Sequence, residues 1–538
     1  MRKIALYDGK SVSLHDTVES FLEEVTRRKY YSYKIYAHNG GKFDFLALFD
    51  FLNKNFEIGI IQAHGRLIQI KVEVAPRRYI YFRDSFSLFP VSLKKLTEAF
   101  KVSHQKGEID FEKESFDPEN KNHIDYLKHD VIGLYECLNI FFESPMIRDT
   151  KPRLTEGSTA LAVFRTTMKA PIKTPPMVIQ KFARESYYGG RVEIFRHEGY
   201  NLNLYDVNSI FPYMMRTKPL PVEYLGRSKN AHDFGFHDVT IYVPEMYIPP
   251  LPLRREKLFF PCGTFRGVYF SEEIKAAEMA GAKIIMHHEG HTFSETSGLF
   301  DEYIDFFYDL RQKNEDNSLN YIGKRMLNCL YGKFGQKETS ETLIQLTKNE
   351  EGTFKIFGSE ETYKKYGLGI KKEFRRAPHM MVNIASAITS YSRIHMLEGI
   401  QRHENEIRYT DTDSLFTSSH NPSSKRLGEF KYEDTFKYGY FAIPKGYGLI
   451  TKDDKTEIKI KGFPRKFLKS LHIEKLKNLD ISMQEQKVLG LRSALKRFNT
   501  PFVATSVRRS LKSGYDKRVT LENGNTRPWV VTKQGDLK

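Results

Sequence analysis

Asp411 and Asp413 stand two residues apart in EIRYTDTDSLFTS (406–418), with β-formers on both sides, and this limits what the chain around them can fold into. On a regular strand residues i and i+2 share a face; on a tight hairpin both carboxylates can point into one cleft. Either geometry gathers negative charge, which costs free energy unless a cation is near. Taken alone, the pair is weak evidence, and a solvated acidic turn accounts for it better than a metal site does.

Two other segments change the weighting. Asp206 ends a strand candidate, NLNLYDVN (201–208), with Phe211 five residues on and Pro212 breaking the chain. In KRMLNCLYGKFG, Lys324, Asn328 and Tyr331 fall at i, i+4 and i+7. A cation, an amide and an aromatic hydroxyl therefore share one face of a helix that Gly332 can terminate. Such a face suits a nucleotide: Lys for phosphates, Tyr and Asn against base and sugar. An amphipathic helix with its polar side in water leaves the Lys and Asn unexplained.

The charge balance points the same way. The 538 residues carry 84 Lys+Arg against 67 Asp+Glu, a net +17, which asks for a polyanionic partner. Residues 421–538 alone hold 26 basic and 12 acidic side chains, so nearly all of the excess lies there. Its densest stretches are KGFPRKFLK (461–469), LRSALKRF (491–498) and SVRRSLKSGYDKR (506–518), where Lys and Arg alternate with Phe, Tyr and Leu. A solvated face explains any one of them; three together favour a surface that neutralises phosphates. With 40% hydrophobic residues the chain can bury real cores, about three or four units at roughly 150 residues each. Cys137, Cys262 and Cys329 lack CxxC spacing, which fits a reducing interior compartment better than a disulfide framework. No apolar run nears the roughly 18 residues of a membrane span, so no membrane partner is expected, and MRKIALYDGK has no signal-peptide core.

No internal repeat is present. The clearest boundary is MIRDTKPRLTEGST, near 146–158, and the segment before it alternates strand-like runs (YKIYAH, RLIQIKVEV, RYIYFRDSF) with helical ones, an α/β pattern. From 220 to 295 the chain is β-rich and dotted with Pro, and from 298 to 331 it turns helical.

Taken in order, YDVNSIFP, KRMLNCLYG and YTDTDS resemble the A, B and C motifs of family B DNA polymerases, usually written DxxSLYP, Kx3NSxYG and YxDTDS. The match is closest to the protein-primed subgroup of certain phages, adenoviruses and linear plasmids. ESYYGGRVEIF (185–195) is similar to that subgroup's YxGG motif, and PKGYGL to its KxY motif. These would be DNA-binding elements, with Tyr187, Gly189 and Gly190 in the first and Lys445 and Tyr447 in the second. The resemblance implies a multidomain α/β chain, an RNase H-like exonuclease unit followed by a right-hand palm, fingers and thumb. Exonuclease would occupy 1–150, a linker 151–200, palm and fingers 201–440, and the end of the palm with a basic thumb 441–538.

Residue by residue, the resemblance makes Asp206, Asp413 and the Val207 carbonyl ligands of two Mg²⁺ ions, or Mn²⁺ in their place, with Asp411 as the third catalytic carboxylate. Lys324 would neutralise the triphosphate, joined by Arg311 or Lys313, and Phe211, Asn328 and Tyr331 would line the nucleotide site. Phe211 replaces the usual Tyr of motif A, Cys329 a common Ser and Ile210 a common Leu, which puts sugar discrimination most in question.

AHNGGKFDFL (37–46) resembles the second exonuclease motif, and Tyr126 with Asp130 in YLKHD the third. This implies metal-binding Asp44 and Asp130, Tyr126 orienting water, and Lys106 holding the scissile phosphate. His38, Asn39, Phe43 and Ser85 would grip the single-stranded primer end. The first motif, DxE, is missing: Asp8, Asp16, Glu19, Glu23 and Glu24 all lie outside such a pattern. Either the start is placed too far downstream, which also suits a first strand, KIALYDGK, lacking its partner, or proofreading is lost.

The expected partners are primer-template DNA, dNTPs and a terminal protein that primes synthesis, with the enzyme a monomer. The terminal protein would meet an insertion at about 225–300; a second insertion at roughly 333–375 would serve strand displacement. Two other readings are a nucleic-acid-primed family B polymerase and an inactive DNA-binding remnant; the intact carboxylates argue against the remnant. With DxE missing, the chain is expected to extend primers while barely degrading 3′ ends. Efficient Mg²⁺-dependent 3′ digestion that Asp44→Ala abolishes would refute this.

Overall fold

The computed structural model describes all residues except 1–2, 64, 108, 110–114, 170, 315–317, 338, 346–358, 364–366, 375–378, 512–513 and 533. Near the N-terminus a four-stranded sheet runs in the order Lys34–Ala37, Arg78–Asp84, Arg66–Ala75, Glu57–Ala63, the first pair parallel and the others antiparallel. The alternation in RYIYFRD makes a strand, because Ile80 and Phe82 then turn into the core while Tyr79, Tyr81 and Arg83 stay half-exposed. Helix Asp44–Asn55 lays Phe45, Leu48, Phe49 and Leu52 on the same core.

The strand in KIALYDGK does not lack a partner. Ile4–Tyr7 pairs antiparallel with Val12–His15 in a hairpin of its own. The Asp8 carboxylate closes the turn by accepting the N–H groups of Lys10 and Ser11, at 2.9 Å each. Tyr7 packs edge-on against Tyr135 of the long helix Lys121–Glu143. That helix sends Leu134, Cys137, Leu138 and Phe141 into the main core of the chain, tying the N-terminal unit to the rest.

The boundary stretch ends at Thr155, whose hydroxyl caps helix Glu156–Thr167 by accepting Ser158 N–H. A second helix, Met177–Glu185, follows, so 151–200 carries two helices and then strand residues of the next sheet rather than an open linker. The chain then enters a seven-stranded sheet in the order Thr456–Ile460, Gly446–Thr451, Phe430–Ile443, Glu198–Val207, Ser414–Thr417, Ile407–Asp411, Val192–Ile194. Strands more than two hundred residues apart in sequence therefore lie side by side at its centre.

The first insertion folds as a five-stranded sheet in the order Val530–Val531, Cys262–Phe270, Gly235–Val243, Lys283–Thr296, Leu220–Arg227, with helix Ser271–Met279 packed on it. Its edge strand comes from the far end of the chain, pairing parallel with Cys262–Phe270. The assignment of all of 441–538 to the end of the palm and thumb is thus too simple: the last two dozen residues return to the body. Within 506–518, Arg518 is fully buried and Lys517 sits against the seven-stranded sheet, so this basic run is not one phosphate-facing surface.

Helices Asp301–Gln312 and Ser318–Phe334 pack together beside the sheet. The second passes through Gly332 and ends two residues later, so Gly332 does not terminate it. In the expected second insertion, strands Thr339–Gln345, Leu368–Phe374 and Ser359–Tyr363 form a three-stranded sheet with Leu368–Phe374 central; its other residues lie partly outside the described ones. Leu343 and Leu368 join the N-terminal core, as do Leu491 and Leu495 from the basic helix Leu491–Phe498. Among the described residues no helix is long and apolar enough to cross a membrane.

Helix Val382–Gln401 is buried along almost its whole length and forms the spine of the molecule. Its one buried cation, Arg393, holds Glu273 of the insertion at 2.6 and 2.7 Å and donates to the carbonyls of Tyr188 (2.9 Å) and Gly189 (3.3 Å). One guanidinium therefore ties three segments together. Arg393→Ala should destabilise the fold by roughly 3–5 kcal/mol, because it strands a buried carboxylate. Thermal unfolding should show the loss, and Arg393→Ala with Glu273→Ala should recover part of it; a double variant no more stable than the single would contradict this account.

Candidate active site

Register across the central strands brings the three aspartates of the sequence to one end of the sheet. Ser414 is the cross-strand partner of both Asp206 and Asp411. The turn between Asp411 and Ser414 is closed by Thr412 in a left-handed conformation (φ 66°), and Val207 N–H donates to the Asp413 carbonyl at 2.7 Å. The strand end and the hairpin tip are thereby locked to each other through backbone.

The YYGGR segment lies directly behind this turn. Thr412 N–H donates to the Arg191 carbonyl at 2.8 Å. A Cβ on Gly190 would come within 2.6 Å of Thr412 Cγ2 and 3.0 Å of its Cα, so a side chain there would push the turn away. Tyr187 is placed similarly against Gly335, just beyond helix Ser318–Phe334, while Gly189 has open space around its α-carbon.

Two of the carboxylates are poorly compensated. Burial, then repulsion from Asp413 and Glu433, pushes Asp206 up to about 7, with Lys324 and Lys431 opposing. Asp413 is raised by burial and by Asp411, with Lys445 opposing. Asp411 is held differently: its Oδ1 accepts from Lys445 Nζ at 2.5 Å. Among the described residues no three His, Cys, Asp or Glu side chains form a metal-binding group. Asp206, Asp413 and the adjacent Val207 carbonyl nevertheless make an all-oxygen donor set with excess negative charge, which fits a hard divalent cation such as Mg²⁺ or Mn²⁺.

Around this pair stand the residues expected to meet a nucleotide. Phe211 and Tyr331 stack at 4.2 Å with planes 28° apart. Arg311 donates to Ser209 Oγ (2.9 Å) and Asn208 Oδ1 (3.3 Å), which holds its guanidinium against the turn after Asp206. Lys324 and Asn328 lie exposed on the helix face that carries Tyr331. Tyr447 is packed against Tyr409, Phe416 and Phe441, so its ring belongs mainly to the aromatic core under the hairpin.

The N-terminal candidates form a second group. Asp44 opens its helix and is raised by burial, then by Asp84 and Asp130. Asp130 pairs with Lys106, whose ammonium lies 4.4 Å from the Tyr126 ring centre. Asp130 Oδ1 and Asn39 Oδ1 are buried without a partner among the described residues. Phe43 is exposed. Ser85 is not: it is fully buried and bonded to His38 Nδ1 at 3.0 Å, while His38 Nε2 meets the Val91 carbonyl at 2.7 Å. Both side chains are committed to holding the AHNGG turn, so in this state Ser85 offers no surface contact, contrary to the role expected of it.

Sequence reasoning passed over Asp84, which is bonded to Arg66 at 2.7 Å and lies close enough to raise Asp44. It also passed over Glu193, buried between Arg191 (2.7 Å) and Arg518 (3.8 Å). Alternating charges in GGRVE, a segment that otherwise reads as a buried strand, were the available signal for Arg191 and Glu193; Arg393 and Arg518 had none.

The raised Asp206 has a sign that can be tested. Without a cation the folded state keeps this proton to higher pH than the unfolded chain does. Its contribution to stability is therefore present below the ordinary carboxylate range and lost as pH rises through about 7. Mg²⁺ should raise the melting temperature more at pH 8 than at pH 5, and Asp206→Asn should remove that difference. Equal Mg²⁺ stabilisation at both pH values would count against the site.

The family described as DNA polymerase type B, organellar and viral, matches residues 24–120 and 118–406. A probable DNA polymerase of Neurospora intermedia is 29% identical over 86% of this chain and 57% of its own length. The DNA-directed DNA polymerase of Enterobacteria phage PRD1 is 27% identical over 86% of this chain and 83% of its own. The chain spans about half the length of the fungal relatives, 57%, 44% and 45% for those of Neurospora intermedia, Podospora anserina and Ascobolus immersus. In fold it is similar to phi29 DNA polymerase complexed with primer-template DNA and incoming nucleotide, with TM-score 0.75 and 21% identity over 94% of this chain and 95% of that one. With the family matched across most of its length, this chain belongs to the organellar and viral type B DNA polymerases.

Proposed function

We propose that the chain is a DNA-directed DNA polymerase that adds dNMPs to a primer 3′-hydroxyl by two-metal phosphoryl transfer, starting on a terminal protein. The observation that carries this reading is the backbone lock between Val207 and Asp413, which sets two under-compensated carboxylates beside the stacked Phe211–Tyr331 pair. Bound Mg²⁺ would activate the primer hydroxyl and neutralise the triphosphate and leaving pyrophosphate. Asp206, Asp413 and the Val207 carbonyl would hold it. Lys324 and Arg311 would take up triphosphate charge, and the Phe211 ring, packed on Tyr331, would crowd the sugar's 2′ position. Catalysis on this scheme is positioning and charge neutralisation in an in-line displacement.

Lys445 and the basic residues of 461–469 and 491–509 would hold the primer-template, by analogy with the phi29 polymerase complexed with primer-template DNA. The insertion sheet would receive the terminal protein, and the enzyme would act as a monomer. The N-terminal unit would be a 3′→5′ exonuclease with Asp44 and Asp130 as metal ligands and Tyr126 and Lys106 beside them, weakened without a DxE pair.

Primer extension by the wild type and by Asp411→Ala tests the core of this reading, with a loss of roughly 10²–10³-fold expected for the variant. No synthesis by the wild type would sink it. Incubation with candidate terminal proteins and radiolabelled dATP tests priming: a covalent protein–nucleotide adduct is expected, and its absence with every partner would favour nucleic-acid priming.

A further inference from the structure

The outer edge of the seven-stranded sheet is strand Val192–Ile194, whose inner side pairs with the hairpin so that Val192 faces Asp411 and Ile194 faces Tyr409. Its outer side is covered by side chains of residues 515–526. Ile194 N–H donates to the Tyr515 hydroxyl (3.0 Å), Thr526 Oγ1 donates to the Ile194 carbonyl (2.9 Å), and Lys517 Nζ donates to the Val192 carbonyl (3.1 Å). Arg518 anchors this strap: it donates to Thr526 Oγ1 and the Tyr247 carbonyl, both at 2.8 Å, and lies 3.8 Å from buried Glu193. Lys517 therefore sits on the carbonyl of the residue directly across the ladder from Asp411.

Lys517 consequently braces the strand that Asp411 pairs with, and the ammonium bonded to the Asp411 carboxylate itself is that of Lys445. Lys517 is mostly buried; burial pulls its ammonium below the usual range, while Glu193, Asp411 and Asp516 hold it up. A buried ammonium whose hydrogen bond goes only to a backbone carbonyl costs free energy unless nearby carboxylates repay it. Lys445 is also the group proposed to hold the primer strand, and a phosphate arriving there would compete with Asp411 for it. If Lys445 turns to the phosphate, Asp411 is left beside Asp413 with one counter-ion fewer.

We infer that Lys517 is a positioning residue, which pins the edge strand paired with Asp411 and so keeps that carboxylate in place while Lys445 engages the primer. This inference rests on the proposed polymerase function for its consequence, but the geometry behind it does not depend on DNA. It also separates Lys517 from the phosphate-binding lysines that the basic run 506–518 had suggested.

The experiment compares wild type, Lys517→Met and Lys517→Arg in four measurements: kcat for primer extension, primer-template Kd with its salt dependence, melting temperature, and hydrogen exchange of segment 407–417 without DNA. Lys517→Met is expected to lower kcat at least about tenfold, keep Kd, salt slope and melting temperature, and speed exchange in 407–417; Lys517→Arg is expected to restore most of kcat. A weaker Kd with the salt slope reduced by about one and kcat unchanged would make Lys517 a phosphate contact and overturn the inference. Parallel loss of every parameter with the melting temperature would make its role merely structural and overturn it equally, as would unchanged kcat and exchange. A wild type that extends no primer would defeat the function proposed above instead, and the exchange measurement would still decide whether Lys517 holds the hairpin.

Discussion

Strand Glu198–Val207 lies at the centre of the seven-stranded sheet, between Ser414–Thr417 and Phe430–Ile443, and that position governs what the rest of the molecule must do. A central strand has no edge to spare. Its backbone is satisfied on both sides, so its last residues, Asp206 and Val207, are held to the ladder rather than to a mobile loop. The bond from Val207 N–H to the Asp413 carbonyl then fixes the hairpin tip to the strand end. Two half-buried carboxylates are brought together at a place where repulsion works against the fold, and that repulsion is tolerated because the backbone bonds beneath cannot relax without breaking the sheet.

Much of the surrounding structure serves to brace this arrangement. Gly190 allows the YYGG segment to press on Thr412, and Arg393, from the buried helix, holds the carbonyls of Tyr188 and Gly189 just before it. The same guanidinium binds Glu273, so the insertion sheet, the spine helix and the segment behind the active turn share one buried ion pair. On the outer side of the same edge the returning end of the chain caps strand Val192–Ile194 with side chains where another strand would otherwise pair. An uncovered strand edge is a template for association with other chains, and this strap removes it. The insertion and the end of the chain are therefore parts of the catalytic frame, as well as candidate surfaces for partners.

The basic excess divides along the same lines. Lysines and arginines of the hairpin Ser482–Val488/Ala504–Ser510 and of helix Leu491–Phe498 lie on an extension whose apolar side, Leu491 and Leu495, packs on the N-terminal unit. Lys517 and Arg518, a few residues on, are spent inside the fold. Charge density in the sequence marks a region proposed to meet a polyanion; it does not tell which side chains face outward, because that depends on where the chain turns back.

The sequence by itself carried the aspartates of YDVNSIFP and YTDTDS, the Lys324–Asn328–Tyr331 face and the α/β character of the N-terminal unit. Each rests on a local rule: two-residue alternation in strands, three- to four-residue spacing on helices, and residue types that chemistry requires at short spacing. Local rules stop at the end of each element. The pairing of Ile4–Tyr7 with Val12–His15, the passage of a helix through Gly332, the burial of Ser85, the turn of Asp411 toward Lys445 and the return of residues 515–531 were settled only by tertiary structure. Each depends on a partner distant in sequence or on how a neighbour packs, and a ladder bond or buried ion pair between residues hundreds of positions apart leaves no mark in the spacing around either one.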